Sequence, residues 1–538
     1  MRRIFAGALI LTLVACGPAQ DPAASAQSAA GGSTDNVLRI GNGAEPQTLD
    51  PHRAEGVPES NILRDLFEGL VGEAPDGSLV PGAAQSWTVS DDGLTYTFSL
   101  RPGARWSNGE AVTASDFEYG LRRSVDPATL SRYSSILFPI LNAEAVINGE
   151  LPTTALGVRA LDENTLQIQL NAPTAYLLGL LTHSTTYPVH RASVAAGGER
   201  FARPGSLVGN GAYQLSEWTV QSHVRLDRNP YYWDVANTQI DTVYYYAIEN
   251  PDAELKRYRA DELDITGALP YQQLDWVRAN LGDELVISPY LGSYYFGFNL
   301  TQPPFKDAKA LRTALSMAID REILTQRVAG AGEIAAYGWV PPVAGYTAQQ
   351  PEWASWTQAE RNARAQALYA EAGYSAENPL RVEVLYNTNE NHKRMSVAIA
   401  SMWKQVLGVE TSLLNQEWKV FLETRNQKSA TQVFRAGWIA DYNDAYSFAQ
   451  LMHSKNEQND SGYVNAEYDA LLDKAAVEQD PAVRAGYLEA AERVLLTDLP
   501  IMPVYFYVSK HLVKPRVQGF VPNIMDHHAT RQLSLNGG

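Results

Sequence analysis

The chain has 538 residues, 45% of them apolar, and its 60 acidic against 43 basic residues give a net charge of −17. This is too much apolar material for one small core, so two or three compact domains are expected. No basic run is available to neutralise a phosphate backbone, which excludes nucleic acid as a partner. The single cysteine, Cys16, excludes both a disulfide framework and a thiolate metal cage within one chain.

The chain opens on MRRIFAGALILTLVACG, with two arginines, an apolar run from Ile4 to Ala15 and small residues before Cys16. That order is the pattern of an export signal, assigned to residues 1–15. LVAC at 13–16 looks like the lipobox of bacterial lipoproteins, in which the cysteine is lipidated and becomes the first mature residue. Residues 17–36 hold almost nothing apolar larger than alanine, so 16–36 is read as a lipidated cysteine followed by a flexible tether. The folded body should begin near Val37. No later stretch approaches the ~20 apolar residues of a membrane span, so the body is expected to be held at a bacterial membrane by lipid alone and to work outside the cytoplasm, in the periplasm.

Within the body, strands are predicted at 37–41, 95–101, 165–170, 242–248, 381–387 and 500–508, where β-branched and aromatic residues alternate or run together. Helices lie between them without a regular βαβ rhythm. Thr113 and Thr357 open capping-box patterns, the second helix stopping at Gly373, and Asp480-Pro481 caps a third. From Asp307, the spacing Leu311, Leu315, Ile319, Ile323 predicts one helix with a single apolar face. The fold class is therefore α/β with more than one domain.

Motifs for chemistry are sparse. H-E-x-x-H, G-x-S-x-G, a Walker loop and paired C-x-x-C are absent. Ser401 and Lys404 form an isolated S-x-x-K, read as a helix face. The glycines at 41–43 and 209–211 make turns and do not complete a dinucleotide loop. His527-His528 has no spaced third ligand and is assigned to an exposed loop, with no metal. Asp441-x-Asn443-Asp444 lacks the glycine and distal glutamate of a calcium loop. Binding without catalysis or cofactor is the leading class.

The stretch FRAGWIADYNDAYSF, 434–448, sets Arg435, Asp441 and Asp444 among aromatic residues, where a charge needs a partner or ligand in place of water. Together with EPQTLDPHRAEGVPESNILRDLFEGL (45–70), the stretch at 86–127, GNGAYQLSEW (209–218), RNPYYW (228–233), YNTNENHK (386–393) and NQEWKVFLETR (415–425), it resembles the periplasmic oligopeptide-binding proteins of ABC importers, over nearly all of 37–535. The resemblance implies a three-lobed periplasmic-binding-protein-like fold, with lobe I at 37–67, 192–292 and 509–538, lobe II at 68–191 and lobe III at 293–508. It further implies a monomer that holds an extended oligopeptide and delivers it to ABC permease subunits with their ATPase.

Carried over position by position, the resemblance puts the peptide ammonium on Asp441 and its carboxylate on Arg435 or His392. Glu55, Val57, Tyr133, Tyr290, Tyr295, Asn387, Trp418, Leu422, Arg425 and Trp438 are then expected at the peptide backbone and side-chain pockets. Asp444 is expected to be a cap. Gly292 and Ile439 stand where the family has a disulfide, Gly267-Ala268 where it has a tyrosine-asparagine pair, Pro251 for a cleft glutamate and Ala329 for a lysine tied to very short ligands. Alternatives of the same fold are binders of murein peptides, nickel chelates or haem. A more distant one is an exported serine hydrolase using Ser401 and Lys404.

Overall fold

The computed structural model describes residues 36–429 and 431–536. Residues 1–15, assigned above to an export signal, Cys16 and the expected tether up to residue 35 lie outside the described residues. The body opens on strand Val37–Gly41, and the other predicted strands form at Thr95–Leu100, Thr165–Gln169, Thr242–Tyr246, Arg381–Asn387 and Ile501–Leu512.

Three sheets organise the molecule. The first runs in the order Val37–Gly41, Thr242–Tyr246, His223–Arg228, Tyr213–Thr219; its first pair is parallel and the others antiparallel. Leu38, Leu63, Leu226 and Val243 fill its core. The second is antiparallel, Ala84–Val89, Thr95–Leu100, Thr165–Gln169, Val158–Ala160, and buries Phe98, Phe117, Leu166 and Ile168.

The third has six strands: Ile334–Ala335, Ile501–Leu512, Leu285–Phe298, Val433–Ile439, Arg381–Asn387, Glu410–Gln416. Successive side chains of a strand point to opposite faces, and both faces here are covered. Phe296 and Phe298 pack with Leu315, Ile399 and Trp403, whereas Tyr295 packs with Trp339, Phe421 and Phe448. Such two-sided burial explains why the central strands read as apolar runs at Ser293–Phe298 and Ile501–Phe506.

Two long strands, Leu285–Phe298 and Ile501–Leu512, pair antiparallel from Leu285 opposite Leu512 to Gly297 opposite Ile501. Their ladder breaks between Pro289 and Ser293. Ile265 bridges to both Ile40 and Val513, tying the end of this pair to the first sheet.

Both capping boxes form, Thr113 with Asp116 and Thr357 with Glu360, and the Asp480 side chain accepts from Ala482 and Val483. Gly373 follows helix Gln358–Glu371 at φ 88°, a left-handed position that suits glycine. The single helix expected through Ile323 is instead broken. Lys309–Met317 ends, and Asp320 caps a fresh turn at Arg321–Ile323 by accepting the Ile323 N–H. Leu311, Leu315 and Ile319 are buried, but Ile323 is half exposed, so the apolar stripe stops one turn early. Among the described residues no helix is long and apolar enough to cross a membrane.

Candidate functional site

Strand Val433–Ile439 makes the centre of the site. Its ladder to Leu285–Phe298 spans Val433 to Ile439, but its ladder to Arg381–Asn387 covers only Val433 and Phe434. From Arg435 onward one edge is therefore free of strand partners among the described residues, and Arg435, Gly437, Ile439 and Asp441 line a chamber of about 300 Å³. Phe434 and Ala436 point the other way into the core. A second chamber of about 340 Å³ adjoins the first, sharing Val57, Pro58, Asn61, Arg64, Tyr290 and His392.

Asp441 is buried in this wall at 8% exposure. Its backbone N–H donates to Ser447 Oγ at 2.9 Å, while its Oδ2 has no hydrogen-bond partner among the described residues. Burial raises its pKa to about 8, the nearby Tyr133 and Ser447 hydroxyls offsetting only part of that. His183 Nε2 stands 3.6 Å from Oδ1, close enough for an ion pair. Burial, reinforced by Arg64, lowers the His183 pKa to about 3, so the imidazole is neutral and does not compensate the carboxylate. Asp441 is thus a carboxyl group without a cation.

Arg435 is its counterpart six residues back, at most ~20 Å away along an extended strand. Its Nη1 donates to Asn387 Oδ1 at 3.1 Å and its Nη2 to Tyr507 OH at 2.8 Å, with the guanidinium 4.6 Å from the Tyr294 ring centroid. Burial opposes its charge, but Tyr507 and Tyr294 more than offset this and raise its pKa. No carboxylate lies within 4 Å of it among the described residues. His392, the third residue of helix Glu390–Leu407, lines both chambers and has its pKa pushed well down by burial and Arg435. It can act as a neutral N–H donor.

The other expected residues divide. Val57, Tyr133, Tyr290, Tyr295, Asn387, Trp418 and Trp438 line the first chamber. Glu55 and Arg425 line it too, but they are already committed. Arg132 Nε is 3.2 Å from Glu55, and Asp460 takes Arg132 at 2.8 Å and Arg425 at 2.7 Å. Leu422, one turn after Trp418 on the same helix, is fully buried in the core beside Phe421 and lines neither chamber. Asp444, expected to cap, stands one residue before Ala445, the N-cap of the short helix Tyr446–Ala449; it accepts the Tyr446 N–H in a local turn and grips Arg484 through both oxygens at 2.8 and 2.9 Å.

The departures also acquire physical reasons. Gly292 lies directly opposite Ile439 in the ladder, and a Cβ at 292 would stand 2.5 Å from Ile439 Cδ1. The isoleucine fills the space a larger residue at 292 would need. Gly267 is pressed against Gly41, whose carbonyl would be 2.5 Å from an added Cβ, and the N–H groups of Gly267 and Ala268 donate to the Glu254 carboxyl. Pro251 and Ala329 are buried and line neither chamber.

The expectation of an exposed loop at His527-His528 is corrected. Both side chains are about 15% exposed or less, His527 bonded to Glu73 at 2.6 Å and His528 to Asp526 at 3.1 Å. Tertiary folding supplies what the local sequence lacked, since His511 arrives from strand Ile501–Leu512 onto the same Asp526. Arg64, His183 and Tyr507 are further cavity residues that no short motif marks.

Ser401 and Lys404 lie on helix Glu390–Leu407, where Ser401 Oγ accepts from Gln405 at 3.2 Å. Neither reaches the chambers.

An enclosed two-chambered cleft with an unpaired acid, an unpaired guanidinium and a free strand edge between them is the architecture of a solute-binding protein. The chain belongs to the bacterial extracellular solute-binding proteins, family 5, whose model, described as their Middle region, matches residues 78–460. It is 42% identical over 499 residues to the periplasmic oligopeptide-binding protein OppA of Escherichia coli K12, covering 92% of this chain and 91% of that one. The Haemophilus influenzae OppA complex with RPPGFSPFR superposes with TM-score 0.91 at 39% identity, covering 93% and 99% of the two chains. The E. coli murein tripeptide binding protein MppA gives TM-score 0.91 at 39% identity, covering 93% and 98%, whereas its unliganded open form gives 0.65 over 93% and 97%. The fold is accordingly the multi-lobed α/β arrangement of these proteins, and the family comprises substrate-binding transport proteins, not enzymes.

Proposed function

We propose that the chain captures short oligopeptides in extended form and hands them to a membrane permease. The observation that carries this reading is a pair of buried groups with no ion partner among the described residues, the Asp441 carboxyl and the Arg435 guanidinium, along one strand whose edge from Arg435 onward has no strand partner there. A peptide has an ammonium at one end and a carboxylate at the other, and its backbone can pair with that edge whatever its side chains. The Arg435 fork suits a carboxylate, with His392 as an additional neutral donor. Tyr133, Tyr290, Tyr295 and Trp418 supply flat apolar walls with polar edges for varied side chains.

Closure of lobe III (293–508) on lobe I (37–67, 192–292, 509–538), with lobe II at 68–191, fits the interrupted ladder at Pro289–Ser293 as the bending point. Contacts made only in the closed form would shift the population toward it. The closed form would dock as a monomer on ABC permease subunits served by an ATPase, in the periplasm and anchored through a lipidated Cys16. A murein peptide is a second reading, supported by the close superposition on MppA and by Arg64. That guanidinium faces both chambers with no carboxylate within 4 Å among the described residues, which favours a ligand with more than one carboxylate.

The test is calorimetric titration with a free tripeptide and its N-acetyl form. Tight binding of the first and loss on acetylation support the reading; equal binding of both, or neither, sinks it.

A further inference from the structure

One wall of the second chamber carries a group of side chains that peptide binding does not use. His511, Asp526 and His528 each offer a ligand atom, and the three atoms lie within 4.8 Å of one another. His511 Nε2 is 3.0 Å from both Asp526 oxygens and His528 Nε2 is 3.1 Å from Oδ1. Edges of about 3 Å are the spacing of ligands around a first-row metal ion with bonds of ~2.0–2.2 Å.

The surroundings orient this group. His511 Nδ1 lies 2.6 Å from the Thr266 carbonyl, which can only accept, so Nδ1 carries the proton and Nε2 is turned to the carboxylate. A carbonyl fixing the far nitrogen is how imidazole ligands are held. Phe520 packs against both rings, stacked on His528 with centroids 3.9 Å apart and edge-on to His511 at 5.6 Å. Asp526 sits at φ 53°, a left-handed conformation that aspartate tolerates, at the turn of a loop pinned by the Asn523 side chain. Each ligand is therefore locked before any ion arrives. Of the basic groups in the same chamber, Lys510 is paired with Glu333 at 2.6 Å, and Arg64 donates to Asn61 at 3.1 Å.

We propose that His511, Asp526 and His528 form a site for a divalent transition-metal ion such as Zn²⁺ in the wall of the cleft. Two imidazoles and one carboxylate make a three-ligand set, and zinc sites of that kind keep a further position open. Here that position faces the second chamber, since all three residues line it. A cargo imidazole or thiolate could complete the shell, so, resting on the peptide reading, the ion would serve as a third anchor beside Asp441 and Arg435.

The full chain, stripped with a chelator, is titrated calorimetrically with Zn²⁺ alone, with Mg²⁺ as control. One Zn²⁺ per chain is expected, with no Mg²⁺ binding. Affinity should fall by more than the ~10- to 100-fold typical of losing an outer-shell partner in His528→Gln and in Asp526→Asn, and stay unchanged in His527→Gln. His528→Phe, which keeps the stack on Phe520 and removes the ligand nitrogen, serves if the glutamine variant does not fold. Co²⁺ should give tetrahedral visible bands that His528→Phe abolishes. A second titration compares a His-containing tripeptide with its alanine analogue, and Zn²⁺ should tighten only the first. Absence of Zn²⁺ binding, or binding indifferent to all the ligand variants, overturns the site; Zn²⁺ binding without any effect on the His peptide overturns the open position. The metal titration uses no peptide, so its failure is distinct from failure of the peptide reading.

Discussion

Replacing Asp441 by asparagine tests how a buried acid serves a cationic ligand. With its pKa raised to about 8, Asp441 is mostly protonated at pH 7 before ligand arrives. An ammonium bound there draws off that proton, so binding at pH 7 should release close to one proton. The cost of ionising one unit below the pKa is about 1.4 kcal/mol. Losing one partner of a buried charge pair costs ~2–5 kcal/mol, so the net loss read at pH 7 in Asp441→Asn is about 1–4 kcal/mol, roughly 5- to several-hundred-fold. Wild-type affinity should rise about tenfold per pH unit up to pH ~8, then fall as the peptide amine, pKa ~7.7–8.0, loses its own proton. The variant should lack the rising limb.

Stability moves in the opposite sense. Between the unfolded value of 3.8 and about 8, the native state holds a proton that the unfolded chain has lost. Native stability contributed here is thus full below the lower value and drains away as pH rises to the upper. At pH 7 the accumulated penalty is at most about 4 kcal/mol at ~1.4 kcal/mol per unit, and asparagine escapes it. Calorimetry in two buffers of different ionisation enthalpy, with melting at pH 5 and 8, reads both effects. A proton count near zero with affinity flat from pH 6 to 8 would refute the argument, as would an asparagine variant that binds like the wild type.

Arg435→Met should weaken a free tripeptide by about 30-fold or more through loss of a buried charge partner, yet leave its C-terminal amide little changed; equal losses for both would remove the carboxylate role. Gly292→Ala places a methyl 2.5 Å from Ile439 Cδ1 and should cost ~1–3 kcal/mol by overpacking. Ile439→Ala should recover part of that in a double-mutant cycle followed by thermal unfolding, and strict additivity would contradict the register. Glu254, raised to about 8 by burial, is another native proton holder. Its stability contribution declines as pH climbs from 4.5 toward 8, so Glu254→Gln should lose less melting temperature than wild type between pH 5 and pH 8.

Periodicity placed the strands, because β-branched and aromatic residues that alternate, as in RVEVLYN, or run together, as in PIMPVYFYV, suit a pleated sheet with one or both faces covered, and the capping boxes at Thr113 and Thr357 marked helix starts through bonds spanning three residues. It failed at Ile323, where Asp320 begins a new turn: a competing side-chain cap outweighed the continued apolar spacing. The candidate site was legible only where likeness to a family assigned roles to Asp441, Arg435 and His392. What sets Asp441 apart is burial with no cation paired to it among the described residues, a property of everything packed around it. The same holds for Arg425 and Glu55, whose charges are absorbed by Asp460 and Arg132 from distant parts of the chain. His527-His528 shows the limit most clearly. Sequence determined which side chains can bear charge, cap or bury, since those are properties of residues and near neighbours. Tertiary structure alone decided which charges are compensated and which three ligands converge, because pairing and desolvation depend on groups brought together from remote positions.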